Sequence, residues 1–232
     1  MPAALQPVVE EGDENSFAEQ GQVTLLQAIL KKGVPSKIAK EALYKFDKFV
    51  AQVKKPSFIT MVDFSQHSSR RRMYIVNRKT GDVEALSVAH GSGSDPDNDG
   101  IPQFFSNVPN SKMSSLGSFI ISEEYTGKYG SSLRLDGLEK TNSNVRDRAV
   151  VLHPAGYVKD GLKKQGRSWG CPAVPYDWIS KVIDRTKEGG FMYAYGINKR
   201  KGFDETEMVR QWDLIPLSQW VNESEEAPID GE

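Results

Sequence analysis

The sequence predicts a mostly-β, α+β fold, a β-rich body preceded by a helical appendage. Three observations carry this. Apolar residues recur at helical spacing before Pro56, and beyond Ser57 they mostly gather in short runs divided by Gly, Pro, Asn and Asp. Only one later stretch has a helical period, so crossover helices are few and a doubly wound parallel sheet is disfavoured.

Taken in order, Val23, Leu26, Ile29 and Leu30 share one face of a short helix that Gly33 stops. Ile38, Ala42, Phe46, Phe49 and Val53 then repeat at three and four residues, and Pro56 ends this second helix. Strands are expected at 58–64, 73–77 and 83–89, the last two joined by the turn Arg78-Lys79-Thr80-Gly81-Asp82. Residues 91–115 are rich in Gly, Ser, Asp, Asn and Pro and read as a long loop, usually a sign of function or motion. Strands follow at 118–122, 131–136 and 149–153. A helix over 177–187, closed by Gly189-Gly190, leads to a final strand over 191–195.

At 232 residues the chain suits one domain with extensions and can bury ~70–75% of its unfolded surface. No apolar run reaches the ~18 residues that a membrane span needs. A single Cys excludes an internal disulfide and a Cys-based zinc cluster. The ends are acidic. Residues 1–21 hold Glu10, Glu11, Asp13, Glu14 and Glu19 with no base, and residues 222–232 hold Glu223, Glu225, Glu226, Asp230 and Glu232, again with none. These ends read as flexible tails, and the part between them carries a net charge of about +9, thirty bases against twenty-one acids. The bases are scattered apart from Arg70-Arg71-Arg72, which reads as a solvated run. An anionic polymer or a carboxylate-rich small substrate fits this charge, and nucleic acid is not expected.

The chemistry concentrates in Val150-Val151-Leu152-His153-Pro154-Ala155-Gly156 and Gly166-Arg167-Ser168-Trp169-Gly170-Cys171-Pro172. Cys171 lies between Gly and Pro, in a run too turn-prone for a core strand. A thiol of pKa ~8.5 is a weak nucleophile until a neighbouring imidazole takes its proton or stabilises the thiolate. His153 ends a β-branched apolar run, where a sheet can hold it rigidly, and Gly170 permits close backbone approach with amides free for an oxyanion. The residues alone leave two readings open: a Cys/His acyl-transfer site, or a small buried thiol beside a structural histidine.

His153 and, fifteen positions on, Ser168-Trp169-Gly170-Cys171 resemble the signature of L,D-transpeptidases. Ser114–Phe119, Tyr125–Glu139, Arg148–His153 and Gly166–Val174 together resemble the murein L,D-transpeptidase catalytic-domain branch of the YkuD-like superfamily, in consistent order over roughly residues 58–196. The resemblance implies a β-sandwich or barrel catalytic domain at 57–200, with a tail at 1–21, a helical appendage at 22–56 and a C-terminal extension at 201–232. It implies that Cys171 attacks a peptidoglycan tetrapeptide stem, that His153 is the base, and that the Gly170 and Cys171 amides hold the oxyanion. The carbonyl of Pro154 is implied to orient His153. Arg134 and Arg167 are expected to meet a substrate carboxylate, with Ser168 and Trp169 also lining the substrate. No cofactor and no metal are implied.

Two departures stand out: Trp169 replaces the family's usual His, and Pro154 its usual Gly. An L,D-carboxypeptidase using water, and a non-catalytic wall-binding protein whose thiol is covered by the helices or the C-terminal segment, are the alternatives. A monomer in the periplasm or outside the cell is expected, with a signal peptide removed before Met1. Asp95-Pro96-Asp97-Asn98-Asp99-Gly100 resembles the start of a calcium loop, but Ser106 stands where a bidentate Glu is needed, so a solvated turn is expected. His90 is read as structural and His67 as exposed.

Overall fold

The computed structural model describes residues 24–199; the acidic ends and Trp212 and Trp220 lie outside the described residues. Helix α1 covers residues 24–31 and α2 Ser36–Phe49, the latter passing into a 3₁₀ turn at Val50–Gln52. Eight strands follow in the order expected of a β-rich body: β1 Phe58–Asp63, β2 Met73–Asn77, β3 Val83–Leu86, β4 Gly117–Gly127, β5 Gly130–Gly137, β6 Val151–Pro154, β7 Ala173–Val174 and β8 Gly190–Tyr195. Helix α3, Tyr176–Thr186, precedes β8.

These strands form one sheet in the order β3-β2-β1-β8-β4-β5-β6-β7. All pairings are antiparallel except β1 with β8 and β6 with β7. The sheet curls until its two edges meet, where Ala89, just beyond β3, bridges Ala173 of β7 with an N–H···O bond of 2.8 Å. The result is a nearly closed barrel whose seam lies beside Cys171.

Period-two alternation sorts the core. Val62, Ile75, Phe119, Leu133, Leu135, Leu152 and Met192 fill the interior, which α3 covers with Ile179, Val182 and Ile183. On the other face, Ile59 and Met61 of β1 and Phe191 and Tyr193 of β8 meet Ile38, Ala42 and Phe46 of α2. Phe46 sets its ring edge-on to Phe191 at 5.5 Å between centroids. Strands covered on both faces show near-continuous apolar runs, as Phe191-Met192-Tyr193-Ala194-Tyr195 does.

Three boundaries differ most from those expected. The strand expected at 83–89 stops at Leu86, and Ala89 makes only the seam bridge. β4 runs five residues past Ser122, through a register shift between Ile121 and Glu124. The second helix ends at Phe49, so Val53 is buried from an extended residue instead.

Candidate active site

Two chain segments build the site. Parallel pairing of β6 with β7 sets His153 beside Ala173 and Pro154 beside Val174. Cys171 lies two residues before Ala173, so the pairing brings it close to the strand that carries His153. The Val151 N–H donates to Cys171 Sγ at 3.4 Å, and the thiol points to the Ala149 carbonyl at 3.9 Å. Ala149 reaches that position in the left-handed region, at φ 52°.

The turn before Cys171 is held from three sides. Ser168 Oγ donates to the Cys171 carbonyl at 2.6 Å and accepts the Gly170 N–H at 3.1 Å. Ser92 N–H donates to the Ser168 carbonyl at 2.7 Å, and Ser168 N–H to the His90 carbonyl at 2.9 Å. Gly170 has φ 117°, and a Cβ there would sit 2.7 Å from the Met113 carbonyl oxygen. No larger residue fits without moving backbone. The Cys171 amide donates to no group among the described residues.

His153 Nδ1–H donates to the Pro154 carbonyl at 3.0 Å, which fixes the tautomer and leaves Nε2 as the acceptor. Burial lowers the His153 pKa, with the Pro154 bond opposing, so the imidazole is neutral at pH 7. Burial likewise pushes the Cys171 thiol up, against the Val151 N–H and the Arg148 guanidinium. At rest the site therefore holds a neutral thiol and a neutral imidazole.

Aromatic side chains surround the pair. Tyr129, in the two-residue turn between β4 and β5, stacks on His153 at 4.6 Å between centroids and 21° between planes. Trp169 is 79% exposed and Tyr176 54%. Burial pushes the Tyr157 phenol up to about 12, and Cys171, Tyr129 and Tyr176 add repulsion to its ionised form. None of the three tyrosines was expected from the sequence. A large ring between Gly127 and Gly130, where turn residues are normally small and polar, was the available signal for Tyr129.

The other expected residues are placed as follows. Arg134 lies on β5, with Nε 3.4 Å from Glu123 and its guanidinium over the Tyr125 ring at 4.6 Å. Arg167 donates to the Ser92 and Asp95 carbonyls and ties down the turn between them. His90 is fully buried: Arg72 donates to its Nδ1 at 2.6 Å and its Nε2 donates to Asp95 at 3.1 Å. Arg72 is thus a core residue, not part of a solvated run. Asp95 also accepts the Asp99 and Gly100 amides, which makes 95–100 a self-capped turn. His67 is half-buried, its Nε2 at 2.9 Å from the Asp99 carbonyl.

A family model described as L,D-transpeptidase catalytic domain matches residues 30–195. No curated protein matches the chain. Among solved structures, the chain is similar to an L,D-transpeptidase from Mycobacterium smegmatis at 12% identity, covering 60% of this chain and 59% of that one, with a TM-score of 0.38. Similar too are L,D-transpeptidase 3 from Mycobacterium tuberculosis (11%, 60% and 61%, TM-score 0.41) and Bd1075 of Bdellovibrio bacteriovorus (15%, 72% and 56%, TM-score 0.39). The chain thus spans about three fifths of the length of these solved proteins.

Proposed function

Because this chain belongs to the L,D-transpeptidase catalytic domain family, we propose that it is a cysteine acyltransferase acting on peptidoglycan stem peptides outside the cytoplasm. The observation that supports this most is that Cys171 Sγ accepts the N–H of Val151, two residues from His153 on the same strand, while the Pro154 carbonyl fixes the imidazole with Nε2 unprotonated. α1 and α2, which could have covered the thiol, pack instead against β1, β2 and β8.

The proposed reaction runs in two halves. Cys171 loses its proton to His153 Nε2, and the sulfur attacks the carbonyl at the L-centre of the third residue of a tetrapeptide stem. The Cys171 amide holds the oxyanion, and the Gly170 amide joins it by exchanging Ser168 Oγ; one such donor is typically worth ~10²–10³ in rate. The C–N bond to the terminal D-Ala breaks, His153 returns the proton to the departing amine, and a thioester remains. An amine of a neighbouring stem then attacks the thioester, His153 takes up its proton, and the thiol is released.

The test is incubation of the protein and Cys171→Ala with disaccharide-tetrapeptides, followed by mass spectrometry. Cross-linked dimers that depend on Cys171 are expected. Tripeptides alone would assign water as the acceptor and make the enzyme a carboxypeptidase. Identical traces for both proteins would remove the enzymatic reading. A carbapenem adduct at Cys171 on the intact protein is also expected.

A further inference from the structure

Arg148 is a largely buried guanidinium held by uncharged groups. It lies beneath the Ser168–Cys171 turn, its Nη2 at 3.5 Å from where a Gly170 Cβ would sit. Four neutral oxygens hold it: Nη1 donates to the Ser106 carbonyl at 2.7 Å and Ser115 Oγ at 2.6 Å, and Nη2 to Ser111 Oγ at 3.1 Å and the Met113 carbonyl at 2.8 Å. Its Nε is buried with no partner. Among the described residues no carboxylate pairs with it, and the ionisable group that interacts with it electrostatically is Cys171.

A buried cation without an anion is costly, and folds normally supply a carboxylate or do without the charge. The counter-charge here is absent at rest, because the thiol is protonated, and appears only when Cys171 ionises. We propose that Arg148 is the positioning residue that stabilises the Cys171 thiolate, so that the site stores a positive charge for a negative one that exists only during reaction. The inference rests on the nucleophile reading above. When the S–H bond breaks and its proton moves to His153 Nε2, the electron pair stays on sulfur and Arg148 keeps its own proton.

The ionisable groups facing the thiol are few. Arg148 approaches from the connection before β6 and Tyr157 from just beyond β6, itself neutral at pH 7 with its phenol raised, while β6 itself carries His153 two residues from Val151. The 106–115 loop contributes only Lys112, whose ammonium sits over the Trp169 ring at 5.9 Å. The cation that could move the thiol in the neutral range is therefore Arg148, whose pKa burial lowers only to about 10.

The test is the pH dependence of Cys171 alkylation by iodoacetamide, read by intact mass, which needs no substrate. In Arg148→Gln the titration midpoint is expected to rise by a unit or more, a loss of at least about tenfold in thiolate at pH 7, and Arg148→Lys is expected to recover part of it. A purely structural knot would not be rescued in midpoint by Lys, which cannot make the four bonds. A folded Arg148→Gln with an unmoved midpoint overturns the inference.

Where Arg148→Gln does not fold, the wild type decides. At pH 8 in 1 M salt, where surface charges are screened beyond about 3 Å, the rate ratio of iodoacetate to iodoacetamide is expected to exceed that of a free cysteine peptide. A ratio no higher than the peptide's overturns the inference. A wild-type thiol that alkylates at no pH overturns the nucleophile reading together with the inference, whereas a reactive thiol indifferent to Arg148 removes the inference alone.

Discussion

Replacing His90 by Gln is expected to flatten the acid side of the stability curve. His90 is fully buried between Arg72 and Asp95. Burial lowers its pKa to about 4, the Arg72 and Arg167 charges adding to the effect and Asp95 opposing it. In the unfolded chain the same imidazole titrates near ~6.5. Between these values the unfolded state binds a proton that the folded state refuses, so stability rises with pH across the window and is lost on acidification from about 7 to 4. Some 2.5 units at ~1.4 kcal/mol each give about 3 kcal/mol, or roughly 6–12 °C in Tm for a domain of this size. Gln keeps a polar group at the site without a titrating one. It lowers the whole curve by about 1–3 kcal/mol if Arg72 or Asp95 loses its bond. The slope separates the two effects. Thermal unfolding followed by circular dichroism at pH 7.5, 6, 5 and 4 should show a shallower fall for the variant. A residual slope should remain from His153, whose pKa is also lowered. Parallel curves for the two proteins would refute the reasoning.

Other substitutions probe the fold and the site separately. Gly170→Ala places a Cβ at φ 117° and 2.7 Å from the Met113 carbonyl; a cost of about 2–4 kcal/mol is expected in urea unfolding, with thiol reactivity lost as the turn shifts. Phe46→Ala removes the ring that joins α2 to the sheet and should cost about 3–5 kcal/mol in chemical denaturation. Its alkylation midpoint at Cys171 should stay unchanged, because α2 packs on the far face. Tyr129→Ala removes the ring stacked on His153. A loss of roughly 2–10-fold in kcat/KM with little change in Tm is expected, the worth of about 0.5–1.5 kcal/mol of imidazole positioning.

The fold class was legible, and Cys171 and His153 stood out as candidates, because their signals are local. The helical period before Pro56 and the short apolar runs after Ser57 each arise within one element, and Cys171 is marked by its own Gly and Pro neighbours. β4 was misjudged because its outer half carries Glu123 and Glu124 at a register shift, which breaks the alternation that defines a strand in sequence. β7 escaped notice because two residues between Pro172 and Pro175 have no period at all.

The residues that sequence reasoning missed share one physical cause. Arg148 and Tyr129 lie near the Ser168–Cys171 turn and His153 through proximities created only when the barrel closes, and the burial of His90, read from the sequence as structural, comes about in the same way. The seam bridge from Ala89 to Ala173 draws the 89–95 segment under the Ser168–Cys171 turn. The β4–β5 hairpin carries Tyr129 onto His153 across the β5–β6 pairing. Arg148 is twenty residues from Ser168, where the motif's Ser-Trp-Gly turn begins, yet it reaches that turn through the 106–115 loop. A charge in such a position looks like any surface Arg until its surroundings are known. What distinguishes it is that the surroundings offer oxygens to orient the guanidinium and no carboxylate to neutralise it. That combination is costly in a resting fold and favourable only toward an anion that forms transiently. The same reasoning separates Arg148 from Arg72, which is fully buried but faces Asp63 and Asp95 and therefore has its charge already answered within the core.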